Sequence, residues 1–254
     1  MIATRVIPCL DVRDGRVVKG VRFSNLRDMG DPAERAALYE EQGADELVML
    51  DVSATPEGRR TAVEAVKRLR RAIGIPLTVG GGVRGEADAA ALLDAGADKV
   101  GVNTAAVGDP RLLERLADRF GRQCVVIAID AKRLDDRADR AWSVVVRSGT
   151  SNTPIDAIDW ARRSAEHGAG EILLTSVDRD GTRSGYDLDL LRVVSNATRV
   201  PVIASGGAST PDHLIDAVRA GASAVLAASI FHESQYTVGD IKRSLAQAGV
   251  EVRP

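Results

Sequence analysis

The sequence predicts an α/β fold, a single (β/α)8 TIM barrel with an internal half-barrel repeat. It reads as one domain over residues 1–254, with half-barrels of about 1–122 and 123–254. Two observations support this. Eight short apolar runs rich in Val and Ile alternate with stretches of helical period along the whole chain, and the runs lack strict polar alternation, as suits strands covered on both faces. Four segments of the first half also recur in the second: LDVRDG (10–15) with AIDAKR (128–133), MLDVSAT (49–55) with LLTSVDR (173–179), TVGGGV (78–83) with IASGGA (203–208), and AGADKVGVNTAA (95–106) with AGASAVLAASIF (220–231). Gly81 and Gly206 stand at the same offset as Gly96 and Gly221. A continuous series of strand–helix units implies a parallel sheet with right-handed crossovers. Eight units in two matched halves favour closure into a barrel over an open doubly wound sheet.

The strands are expected at about 5–11, 46–51, 76–79, 98–102, 124–129, 171–175, 200–204 and 223–227. The helix over 31–44 begins with Asp31 as cap and Pro32 at its first position, and stops at Gly43. Residues 86–97, 109–121 and 210–222 follow the same plan. Two strand-to-helix connections are long. Residues 12–30 carry Gly15, Lys19 and Gly20; residues 131–153 contain WSVVVRSG, which alternates like a small hairpin. Chemistry in such barrels sits where strands hand over to helices, so long glycine-bearing loops there are expected to act as a lid.

The net charge of −2, with acidic and basic residues nearly balanced, argues against a general nucleic-acid or membrane role. Any phosphate binding must come from local groups. Cys9 and Cys124 lie in apolar runs and are expected to be buried thiols of a reducing compartment, the cytoplasm. The first residues run straight into a strand and do not read as a signal peptide, and no apolar run approaches membrane-spanning length.

Three constellations carry chemistry. Asp11 and Asp130 each end an apolar strand, the first and the fifth, which face each other across an eight-stranded barrel. Arg5, Ile7, Cys9 and Asp11 share one strand face, as do Val126, Ala128 and Asp130. Paired carboxylates suit general acid/base work. The second constellation is a duplicated anion site. Gly80, Gly81 and Gly82 follow strand three, and Asn103 and Thr104 follow strand four. Gly206 and Gly207 follow strand seven, Ala228 and Ser229 follow strand eight, and Asp180 and Gly181 come from the segment after strand six. Glycines let backbone N–H groups approach an anion, and the start of a short helix adds a favourable dipole. Two such sites on opposite rims imply a ligand with two phosphates. Thr175 points into the same barrel interior. The third is a charged quartet at the strand starts: Arg5, Glu46, Lys99 and Glu171, with interior parity. Enclosed charges cost stability unless paired, so the quartet reads either as a structural ion-pair cluster or as a gate at the base of a central passage. His167, His213 and His232 show no ligand spacing, so no metal and no cofactor is expected.

At these residues the chain resembles the cyclase subunits of imidazole glycerol phosphate synthase, from histidine biosynthesis. The resemblance rests on CLDVRDGRVVKG (9–20), VGGGVR (79–84), GADKVGVNTAA (96–106), AIDAKR (128–133), GAGEILLTSVDRDGTRSGYD (168–187) and IASGGA (203–208). The sister isomerase of the pathway shares the half-barrel repeat, the paired aspartates and the two phosphate sites, and is the alternative. Lys19 in VVKG, the segment LLTSVDRDGTRSGYD and the floor quartet favour the cyclase. The resemblance implies a glutaminase partner docked at the N-terminal face, ammonia passing up the barrel, and a bis-phosphorylated aminoimidazole carboxamide ribonucleotide with an opened ribulosyl arm at the mouth. It implies Asp11 and Asp130 as acid and base, and Lys19 on the lid holding phosphate or closing the site. Gly82, Asn103 and Thr104 would hold one phosphate, with Asp180, Gly181, Gly207 and Ser229 by the other. Cys9 and Cys124 offer no glutaminase nucleophile. Val83, Arg84 and the charged loop 134–143 depart from the family pattern and are expected to stand apart from the chemistry.

Overall fold

The computed structural model describes residues 3–21, 24–54, 63–134 and 141–253. The chain enters at β1 (Arg5–Arg13), turns through the antiparallel pair β2 (Arg16–Val21) and β3 (Ser24–Gly30), and lays down α1 (Pro32–Glu41). There follow β4 (Leu47–Asp51), α2 (Val63–Ala72), β5 (Leu77–Gly80), α3 (Glu86–Asp94), β6 (Lys99–Val102), α4 (Thr104–Gly108) and α5 (Arg111–Phe120). The second half runs β7 (Val125–Arg133), the hairpin β8 (Trp142–Val146) and β9 (Ser151–Asp156), α6 (Ala157–Glu166), β10 (Glu171–Ser176) and α7 (Leu188–Ala197). It ends with β11 (Val202–Ser205), α8 (Pro211–Arg219), β12 (Ala224–Ala227), α9 (Ser229–His232) and α10 (Val238–Gln247).

Eight of these strands close a parallel barrel in the order β1-β4-β5-β6-β7-β10-β11-β12, and β12 pairs back onto β1. The halves meet at two seams, Val100 beside Val125 and Arg5 beside Ala224. The predicted fold class is the one observed.

Strand alternation divides the apolar residues into two cores. Ile7, Cys9, Val48, Val126, Leu173, Ile203, Ala224 and Leu226 fill the barrel interior. Val6, Leu10, Leu47, Met49 and Leu77 point outward against helix residues such as Leu69, Leu92 and Leu113. Both faces of each strand are therefore apolar, which is why the runs do not alternate. On α5, Leu112, Leu113 and Leu116 are buried while Glu114 and Arg115 face solvent. Each buried leucine contributes roughly 1.5–3 kcal/mol. The start of α1 follows its sequence signal: the Asp31 carboxylate accepts from the N–H groups of Ala33 and Glu34, and Gly43 leaves the helix at φ 89°.

Two strands outrun their predicted ends. β1 continues to Arg13 because Val12 and Arg13 pair with Val17 and Arg16. β7 continues to Arg133 because Asp130 through Arg133 pair with β8. Long strand-to-helix connections thus become antiparallel extensions of the barrel wall, placing Asp11 and Asp130 inside strands rather than at their ends. The predicted hairpin exists, but all of β8 is buried instead of alternating with solvent. No helix among the described residues is long and apolar enough to cross a membrane.

Candidate active site

β1 and β7 lie diametrically opposite in the strand order, so Asp11 and Asp130 face each other across the mouth of the barrel. The Cys9 thiol, two residues below on the same strand face, donates to Asp11 Oδ1 at 3.5 Å. Asp130 Oδ2 accepts from Asn103 Nδ2 at 3.0 Å, and the same amide reaches Val145 O at 3.4 Å. Burial first, and then the nearby Asp180 carboxylate, push the Asp130 carboxyl up to about 7 against the opposing effect of Asn103. An acid that binds its proton near neutrality can both deliver and recover one at physiological pH. Asn103 Oδ1 is buried and has no hydrogen-bond partner among the described residues.

Above and between these acids lies a cavity of about 790 Å³. Gly82, Asn103, Thr104, Thr175, Asp180, Gly181, Gly206, Gly207, Ala228 and Ser229 all line it, together with Asp11 and Asp130. The two glycine-bearing rims sit opposite each other, on β5–β6 and on β11–β12. The glycines are demanded by the chain itself. A Cβ on Gly81, at φ 87°, would stand 2.2 Å from Asp51 O, and one on Gly207, at φ 101°, 2.3 Å from Gly185 O. An anion site is thus a use that these glycines permit, not one they require. The helices that follow these rims, α3, α4, α8 and α9, show no side-chain hydrogen bond at their N-caps, and neither does α5. By contrast α1, α6, α7 and α10 are closed by Asp31, Asp156, Asp187 and Thr237. Of the uncapped helices, α4 and α9 begin on the cavity wall, at Thr104 and Ser229, where first-turn N–H groups are ready donors for an anion.

At the opposite end the quartet forms a closed ring of ion pairs. Arg5 Nη1 contacts Glu46 Oε1 and Glu171 Oε1, each at 2.8 Å. Lys99 Nζ contacts Glu46 Oε1 at 2.7 Å and Glu171 Oε2 at 2.9 Å. Burial acts against the Arg5 charge, but Glu46 and Glu171 outweigh it and hold the guanidinium above its ordinary value. The cavity reaches down to Thr78, Val126, Leu173 and Leu226. Thr78 registers with Lys99 and Val126 with Glu171, so the lowest residues of the cavity wall stand beside the ring.

The chain matches the family described as "Histidine biosynthesis protein" over residues 5–237. It is 56% identical over 254 residues, 100% of each chain, to the imidazole glycerol phosphate synthase subunit HisF of Metallosphaera sedula. The chain belongs to the HisF family. It is an enzyme of histidine biosynthesis of the cyclase type, and the subunit designation of its relative accords with a multi-chain assembly.

Some residues escaped or fell outside the sequence reading. Of Lys19 only the backbone, in β2, is within the described residues; its side chain lies outside them, as does most of the charged loop after Leu134. Val83 and Arg84, expected to stand apart, line the cavity. So do Asp51, Arg147, Ser148, Thr150 and Arg183, none of which was expected as a site residue. For Asp51 a signal existed: it ends its strand within the repeated segment MLDVSAT. Cys124 is half-buried, less enclosed than expected, whereas Cys9 is buried.

Proposed function

We propose that this protein uses ammonia to convert a bis-phosphorylated phosphoribulosyl aminoimidazole carboxamide ribonucleotide into imidazole glycerol phosphate and aminoimidazole carboxamide ribonucleotide. The observation that carries the reading is one cavity lined by two opposed carboxylates and by two glycine-bearing rims on opposite sides of the barrel. A molecule charged at both ends is held by its ends, leaving its central carbon over the acids.

The chemistry follows from that placement. Ammonia adds to the ketone of the opened sugar arm, water leaves to give an imine, and ring closure with cleavage releases the two products. Addition of ammonia and loss of water both move protons at the one ketone carbon. Asp130, protonated near neutrality, is suited to donate to the departing oxygen, and Asp11, supported by the Cys9 thiol, to accept protons from the incoming nitrogen. Gly82, Asn103 and Thr104 serve one phosphate. Gly181, Gly206, Gly207, Ala228 and Ser229 serve the other, while Asp180 orients hydroxyl or backbone groups and Thr175 lines the wall between. Lys19 closes the lid. The two half-barrels act as one domain, each supplying one acid and one anion rim.

The ring of Arg5, Glu46, Lys99 and Glu171 is the gate through which ammonia from a glutaminase partner, docked at the N-terminal face, passes into the cavity. Support comes from the closeness of ring and cavity, whose lowest lining residues Thr78 and Val126 are register partners of Lys99 and Glu171. The setting is the cytoplasm. The isomerase reading would leave this ring without a use.

The deciding assay supplies the bis-phosphate with and without ammonium. Ammonia-dependent product formation is expected, with Asp11→Asn and Asp130→Asn each losing roughly 10²–10⁴-fold while circular dichroism shows an intact fold. Rearrangement without ammonia would point to the isomerase, and full turnover in both variants would remove the acid pair.

A further inference from the structure

We propose that Arg147 is a phosphate-binding residue of the first-half rim, its guanidinium meeting the phosphate assigned above to Gly82, Asn103 and Thr104. The proposal rests on that two-phosphate reading and adds to it a charged ligand from the other half of the chain.

Arg147 sits at the tip of the β8–β9 hairpin. The stem of this hairpin is bound to the acid machinery: Val145 registers with Asp130, and its carbonyl accepts from Asn103. Two residues later the Arg147 N–H donates to Thr104 Oγ1 at 3.0 Å. The tip backbone is left-handed at three successive residues, Arg147 at φ 54°, Ser148 at φ 55° and Gly149 at φ 80°. For residues with a Cβ this conformation is unfavourable and persists only where the surroundings enforce it. They do so here. Thr150 Oγ1 donates to Arg147 O at 2.7 Å, and Ser148 Oγ donates to Val52 O at 3.4 Å, tying the tip to the loop after β4. The turn is therefore a fixed mount that brings its side chains to the cavity wall, where Arg147, Ser148 and Thr150 all appear.

Charge separates Arg147 from the arginine on the far rim. Arg183 also lines the cavity, but its Nη2 is paired with Glu233 at 2.6 Å. Arg147 has no ion pair among the described residues. A guanidinium on a fixed mount, beside uncapped backbone donors and without a carboxylate of its own, suits forked recognition of a phosphate dianion.

The test compares the full-length wild type with Arg147→Gly and Arg147→Lys. Glycine accepts the left-handed backbone, so it removes the guanidinium without straining the turn; lysine keeps the charge without the fork. With saturating ammonium, Arg147→Gly is expected to raise KM for the bis-phosphate roughly 10- to 100-fold, with the loss falling on KM rather than kcat. Inhibition by inorganic phosphate is expected to weaken in parallel, and Arg147→Lys to recover part of both. Unchanged KM and phosphate inhibition, or a fall in kcat alone, would overturn the proposal while leaving the two-phosphate reading in place. If the wild type itself ignores the bis-phosphate, that reading fails, and phosphate binding measured by calorimetry still decides the role of Arg147.

Discussion

Asp130 illustrates how a single residue type takes its character from its surroundings. Its unfolded-state proton affinity is that of an ordinary carboxyl, near 3.8, whereas in the folded protein burial and Asp180 raise it to about 7. Between those values the folded state binds more protons than the unfolded state, so this group makes stability fall as pH rises through that window. Asp130→Asn removes the titration. The variant is expected to match wild type near pH 4 and to exceed it at pH 8 by an amount on the order of a few kcal/mol, read from urea unfolding at both pH values. A variant no more stable at pH 8 would mean that the folded protein does not hold this proton. Asp180→Asn is expected to move the basic limb of the pH–rate profile to lower pH, because one of the two influences raising Asp130 is gone.

At the scale of elements, the ends of helices and strands divide labour. Four helices away from the cavity rims, α1, α6, α7 and α10, are closed by their own side chains, and Asp31 is the clearest case, capping α1 while also pairing with Arg68. Asp31→Ala is expected to cost about 1 kcal/mol in urea unfolding with little effect on KM, because α1 does not begin at the cavity. The short helices α4 and α9, which begin on the cavity wall, keep open first turns, trading local stability for donors. These caps and stops were legible in the sequence because they depend on neighbours a few residues apart. The strand extensions at 12–13 and 130–133 were not, because a strand ends where its partner ends, and those partners are the hairpin strands β2 and β8.

For the whole molecule, closure turns strand starts into a floor and strand ends into a mouth. Arg5, Glu46, Lys99 and Glu171 are separated by up to about two-thirds of the chain yet meet as one ring with ion pairs of 2.7–2.9 Å. Breaking it leaves buried charge uncompensated. Lys99→Met is expected to destabilise by roughly 3 kcal/mol and, if the gate proposal holds, to change the ratio of glutamine-driven to ammonium-driven turnover measured with the proposed glutaminase partner added. An unchanged ratio would make the ring a structural cluster and no gate.

The barrel, its repeat, the acid pair and both glycine-bearing rims followed from the sequence alone, because periodicity, duplication and glycine placement are written in local order. Closure brought Arg147 against Thr104, set Asp180 beside Asp130 and stacked the cavity on the ion ring. Those contacts join residues from different strand–helix units, whose distances are set by the curvature and register of the closed sheet and not by any spacing along the chain.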